Sequence, residues 1–283
     1  MVSLPALAAN QGPVHAIWIW KSPSVLAQPD AAEKLRSFCQ SSGIAEVYIS
    51  VSGSTDANGE KHLDQMIGLL HAAHIRVDAL FSSTNADEGG AHLEKLLGEV
   101  STIESFNQKH PGERFDGIHL DIEPQQRPEN KGSGNLSFLP GLINAYTQVK
   151  HQAAKSGLPV GADIQTKLLK GNLDQRKTLL TSLPEFTLML YELSSPTDGT
   201  SANAKISKLN SESQKYLKMA ADGLDASQIA RISIGLRNVD YGDLLPQMLK
   251  DLDEANRASP NYGGWAWYSY NYVLAPQQAT SAN

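Results

Sequence analysis

Apolar positions recur along this chain in two alternating rhythms. In HAIWIW (15–20), EVYISV (46–51), RVDALF (76–81) and GIHLDIE (117–123) they fall at every second position or in short unbroken runs, as strand residues do. PVGADI (159–164), FTLMLYEL (186–193), RISIGL (231–236) and GGWAWYSY (263–270) continue the series. Between these runs the apolar spacing widens to three and four residues. That predicts helices near 29–42, 60–73, 88–109, 137–156, 172–182, 202–222 and 242–256, with Gly43 ending the first. Strands alternating with helices imply parallel strands joined by crossover helices. Eight such units over 283 residues predict an α/β fold, a single (β/α)8 TIM barrel. An open doubly wound sheet is the main competitor, and it carries a glycine-rich turn after its first strand. The sequence there, WKSPSVLAQPD, has no glycine. Neither G-x-G-x-x-G nor a Walker A pattern occurs anywhere, so no nucleotide cofactor is expected.

The fourth run carries the chemistry. Strand side chains alternate between two faces, so Ile118, Leu120 and Ile122 are expected against the helices, with His119, Asp121 and Glu123 pointing into the barrel. Glu123 falls at the C-terminal end of its strand, where barrel active sites sit, and Pro124 ends the strand. Two carboxylates two residues apart lie roughly 6–7 Å apart at Cα. Repulsion and partial burial should raise one pKa and make the outer group a proton donor. An internal salt-bridge layer is the competing reading. It needs inward cations, of which Arg237 is the clearest.

The other strand ends supply a compatible lining. Asp163 and Gln165 share a face with Gly161. Met189 shares one with Tyr191, with Glu192 at the exit, and Tyr48 stands with Ser50 and Ser52. Trp18 and Trp20 from the first run, and Trp265 and Trp267 with Tyr268 and Tyr270 from the last, complete this lining, and the tryptophans are expected to edge one barrel mouth. Aromatic faces beside carboxylates and hydroxyls suit a sugar, whose C–H faces stack on rings while its hydroxyls take hydrogen bonds.

Composition narrows the field. Hydrophobic residues make up 41% and charged residues 19%, which is globular. A net charge of -6 offers no basic footprint for nucleic acid. The single cysteine, Cys39, cannot form an internal disulfide and lies in helical spacing as a small buried residue. No apolar run reaches the roughly 18 residues of a membrane span. Residues 1–12 are expected to be a disordered lead or the remnant of a signal peptide, with Ala6-Leu7-Ala8 resembling a cleavage site. Residues 13–275 form the expected catalytic barrel, and 276–283 a flexible tail. The expected location is secreted or periplasmic, with the cytoplasm as the alternative.

The run Asp116-Gly117-Ile118-His119-Leu120-Asp121-Ile122-Glu123 resembles the DGxDxDxE strand-four signature of family 18 glycoside hydrolases, the chitinases and related endo-N-acetylglucosaminidases. Met189-Leu190-Tyr191-Glu192 resembles that family's M-x-Y-D element, and Gly263-Gly264-Trp265-Ala266-Trp267 is similar to its strand-eight GG…W element. These three short motifs occur in the right order on the right strands. The resemblance implies substrate-assisted, retaining hydrolysis, with Glu123 protonating the glycosidic oxygen and no enzyme nucleophile. Asp121 would orient the substrate's 2-acetamido group, Tyr191 would hydrogen-bond its oxygen, and Trp267 or Trp265 would floor the pocket. Glu192 stands where the family usually has Asp. His119 departs from the family pattern, which has Asp there; a neutral His119 could hydrogen-bond Asp121. The resemblance implies a carbohydrate substrate and calls for no cofactor and no metal.

Three alternatives stay open. One is direct nucleophilic attack, with Asp163 or Glu192 as the second carboxylate. Another is a carbohydrate-binding barrel without catalysis. The third is a metal-dependent hydrolase or lyase with His119, Asp121 and Glu123 as ligands.

Overall fold

All eight strands run parallel and close on one another in chain order, with β8 pairing back to β1. The computed structural model describes residues 12–51, 57–131, 136–191, 202–225 and 227–274. The strands are β1 (Ala16–Ile19), β2 (Glu46–Ser50), β3 (Arg76–Ser83), β4 (Gly117–Ile122), β5 (Val160–Gln165), β6 (Glu185–Met189), β7 (Arg231–Arg237) and β8 (Tyr262–Tyr268). Around them lie α1 (Ser22–Leu26), α2 (Ala31–Ser42), α3 (Ala57–Ala72), α4 (Gly90–Lys109), α5 (Leu139–Ala154), α6 (Thr166–Leu169), α7 (Leu173–Ser182), α8 (Ala202–Ala221), α9 (Leu245–Asn256) and α10 (Tyr270–Leu274). The seven helices expected from periodicity all form. The short α1, α6 and α10 are too brief for a 3.6-residue period to show in the sequence. Gly43 ends α2 in the left-handed region at φ 67, and Cys39 is buried within that helix. Among the described residues no helix is long and apolar enough to cross a membrane.

Strand alternation builds two cores. Outward residues such as Ile17, Val47, Ile118, Leu120, Ile122 and Ile234 pack with the helices into one large cluster. Inside the barrel a small cluster holds Ala16, Trp18, Tyr48, Leu80 and Ala266. Trp18 is fully buried and fills the axis. A Cβ placed on Gly235 would sit 3.1 Å from the Trp18 indole, and Ala266 pairs with Gly235 in the ladder. The indole therefore needs small neighbours on β7 and β8.

That packing decides the orientation of β8 and corrects one expectation. Ala266 and Tyr268 point inward, while Trp265 and Trp267 face the helices. Trp265 stacks on His15 (centroids 3.9 Å apart) and on Trp267 (5.4 Å), and Trp267 packs on Phe38 of α2 (5.7 Å). Neither tryptophan reaches the barrel mouth. With Trp18 already on the axis there is no inward space for two more indoles.

The N-terminal end of the barrel is an ionic layer. Arg76 clasps Asp78 through two bonds of 2.9 Å and lies 3.3 Å from Glu46 and 3.7 Å from Glu185. Arg231 pairs with Glu185 in the strand register. Gly117 and Gly161 make room: a Cβ there would meet the Arg76–Asp78 pair at 2.5–2.8 Å and Glu185 at 2.9 Å. The expectation that Arg237 is the clearest inward cation is thus corrected. Arg76 and Arg231 open their strands, and the first residue of a run is easily read as a loop charge.

Candidate active site

At the opposite, C-terminal end of the barrel, β4 delivers its acids. Asp121 is 8% exposed, and its Oδ1 has no hydrogen-bond partner. Burial, reinforced by Asp163 and Glu123, pushes its pKa well above the usual aspartate range. Glu123 follows directly, its backbone N–H donating to the Ser83 carbonyl (2.8 Å). Its Oε1 accepts from Gln165 (3.0 Å) and Gln125 (3.1 Å), and its Oε2 accepts from Gln126. Burial raises the Glu123 pKa while these amides oppose the rise. Asp163, on β5, accepts from Trp18 Nε1–H at Oδ2 (3.0 Å) and faces His119 Nε2 at Oδ1 (2.9 Å). Among the described residues no arginine or lysine forms an ion pair with any of these three acids.

Above them opens a cleft of about 960 Å³. Its aromatic wall is continuous: Trp18 lies 6.4 Å from Tyr191 and 6.2 Å from Tyr268, Tyr191 lies 5.2 Å from Tyr268, and Trp20 lies 6.3 Å from Tyr268. Trp18, Trp20, Asp121, Glu123, Asp163 and Gln165 all line it, and so do Met189, Tyr191 and Arg237. Arg237 is fixed by Asp240 (2.7 Å). Tyr268, expected from the last run, lines the cleft too, whereas Tyr270 is buried against Phe38 (centroids 5.3 Å apart); sequence reasoning missed Tyr272, Ser82–Asn85, His92, Lys95, Gln126 and Thr166. One signal was available: Gln126 lies three residues beyond the acid. The β3 tip was cut short because strand patterning stops at Phe81, whereas the strand runs to Ser83.

No protein-family model matches this sequence, and no curated protein matches it. Solved structures do. The glycoside hydrolase domain of PgaB (BpsB) from Bordetella bronchiseptica is 10% identical with a TM-score of 0.58, over 95% of this chain and 97% of that one. A chitinase from Bacteroides thetaiotaomicron is 13% identical with a TM-score of 0.55, over 92% and 90%. The fold is the one those glycoside hydrolases use. It is also used for other chemistry: the 3-keto-D-glucoside 4-epimerase YcjR from E. coli is 12% identical with a TM-score of 0.51, over 91% and 92%. Such likenesses fit a distant relative and establish the barrel, so the reaction has to be argued from the residues.

Two expected lining residues sit beneath the cleft. His119 is 2% exposed and bonds Asp163, not Asp121, because its ring is held against Tyr48 (centroids 3.7 Å apart, 16° between planes). Burial lowers its pKa to about 4, so the imidazole is neutral near pH 7. Tyr48 is 4% exposed and donates downward to Glu46 Oε2 (3.3 Å). Both support the site from below and cannot touch a ligand. Asp116, which opens the strand-four motif, accepts from the Val77 N–H and meets His71 (2.9 Å each), so it anchors β4. Glu192, Ser52, residues 1–11 and the tail lie outside the described residues.

The metal alternative is not supported by this geometry. His119, Asp121 and Glu123 do not converge on one point. Among the described residues the sole ligand-like grouping is Glu46, Asp78 and Glu185 at the far end, where Arg76 already supplies the positive charge.

Proposed function

We propose that this barrel is a glycoside hydrolase acting on a β-linked, 2-acetamido sugar polymer or glycan. The observation that carries the reading is the placement of Glu123 and the unpartnered Asp121 Oδ1 together in the floor of an aromatic-walled cleft at the C-terminal mouth. Glu123, with its pKa raised by burial, protonates the leaving glycosidic oxygen. As that bond breaks, the acetamido oxygen of the same sugar attacks the anomeric carbon and closes a cyclic oxazolinium ion. Asp121 receives the acetamido N–H, and Tyr191 donates its hydroxyl hydrogen to the acetamido oxygen. Water then opens the ring, giving its proton to Glu123, and the anomeric configuration is retained.

Direct attack by an enzyme carboxylate is disfavoured. Both oxygens of Asp163, the described candidate, already face N–H groups of Trp18 and His119. Turnover distinguishes an enzyme from a binding barrel. Chromogenic N-acetylglucosaminides and plain glucosides are offered to the wild type and to Glu123→Gln. Cleavage restricted to the 2-acetamido substrates, and lost in the variant, supports the reading. Equal cleavage of plain glucosides overturns neighbouring-group participation, and undiminished sugar binding with no turnover in either protein favours a binding barrel. The Ala6-Leu7-Ala8 pattern supports export, which fractionation of the producing cells tests.

A further inference from the structure

We propose that His119 is a positioning residue: its Nε2–H, donated to Asp163 Oδ1, fixes the negative charge of the central carboxyl pair on Asp163 and leaves the proton on Asp121. The catalytic consequence rests on the glycosidase reading; the assignment of the proton does not.

The β4–β5 register sets His119 beside Gly161 and Leu120 beside Ala162, which brings Asp121 beside Asp163. Two adjacent buried carboxyls cannot both ionise near neutral pH, so the pair holds one proton. Among the described residues, donors reach one member only. Asp163 receives Trp18 Nε1–H at 3.0 Å and has His119 Nε2 at 2.9 Å, whereas Asp121 Oδ1 has no partner. Hydrogen bonds to a charged form favour it. Burial pushes both carboxyls upward, and the Trp18 bond opposes that rise at Asp163 alone.

The tautomer follows from the other ring nitrogen. His119 Nδ1 is buried without a partner, and a buried orphan N–H is rarer than an under-used acceptor. The hydrogen therefore sits on Nε2. Stacking on Tyr48 and edge contact with Trp18 (6.4 Å) fix the ring. The charged groups acting on it are Glu46 from β2, Arg76 from β3 and Glu185 from β6, with Asp163 in direct contact; Glu46 and Glu185 raise its pKa, while burial and Arg76 lower it. The neutral imidazole adds a donor without adding charge, so Asp163 keeps its own.

Carboxyl-¹³C NMR of aspartate-labelled protein tests this without substrate, with Asp121→Asn and Asp163→Asn assigning the two signals. At pH 6 the wild type should show Asp163 at a carboxylate shift and Asp121 at a carboxylic-acid shift. His119→Phe keeps a ring against Tyr48 but removes the donor. It should collapse or invert the difference and move the acid limb of the kcat/KM profile up by about one pH unit, the size of one hydrogen bond to a charged group. His119→Gln, which returns an N–H, should restore the wild-type pattern. An ionised Asp121 beside a protonated Asp163 in the wild type overturns the proposal, as does an unchanged pair in folded His119→Phe. Should that variant not fold, Trp18→Phe removes the other donor and is read the same way. The expected NMR pattern without any sugar hydrolysis would reject the glycosidase reading and leave the proton assignment standing.

Discussion

Among the described residues both mouths of this barrel gather three buried or half-buried carboxyl groups, and they differ in what neutralises them. At the N-terminal end Glu46, Asp78 and Glu185 surround Arg76, with Arg231 alongside. At the C-terminal end the hydrogen-bond donors that reach Glu123 and Asp163 among the described residues are neutral, two ring N–H groups and three glutamine amides, while Asp121 Oδ1 has none; Lys167 acts on Glu123 only through its charge, without an ion pair. The Arg76 guanidinium opposes the rise that burial imposes on Glu46 and Asp78 and ties both acids into an ion-paired layer, so the lower end is structural. Neutral donors leave protons free to come and go, which is what acid–base chemistry requires. The counter-group, more than the acid, separates scaffold from site.

Exchanging roles between the two ends should expose the difference. Glu123→Gln should lower turnover by about 10²–10⁴-fold, the usual contribution of a general acid, with the melting temperature little changed. Asp121→Asn should also cost at least about 10²-fold in rate. It should leave stability equal or higher, since it removes a buried carboxyl that lacks a partner; urea denaturation beside the activity assay checks both variants.

Arg76→Met should do the reverse, removing about 3–5 kcal/mol of stability by stranding three acids. Without the arginine, Glu46 and Asp78 would take up protons more readily in the folded state. Folding stability should then fall as pH rises, and the deficit should be larger at pH 8 than at pH 5. Denaturation curves at the two pH values test this.

Smaller effects sharpen the picture of the upper mouth. Tyr268→Ala should raise KM about tenfold, on the order of 1.4 kcal/mol, by removing an aromatic wall. Trp267→Phe, outside the barrel, should leave KM unchanged. Gln126→Ala removes a donor that favours ionised Glu123, so the Glu123 pKa should rise. The base limb of the pH–rate profile should move upward by about half a unit.

Much of this was readable from residue order alone. The two hydrophobic rhythms carry the barrel because period and face are local properties. The parity of GIHLDIE carried its three inward groups. Parity alone could not say which face of GGWAWYSY is inward, because both faces are apolar there. That choice depends on Trp18, nearly 250 residues away in sequence, which claims the axis and leaves room only for Ala266 and Gly235. His119 illustrates the same limit. Its strand face was legible, but its partner comes from β5 and its clamp from β2, both set by tertiary register.

The indole of Trp18 has one more consequence. Because it fills the bore, the cleft is closed at its floor. On the glycosidase reading proposed above, a long substrate would therefore lie across the rim and not pass through the cylinder.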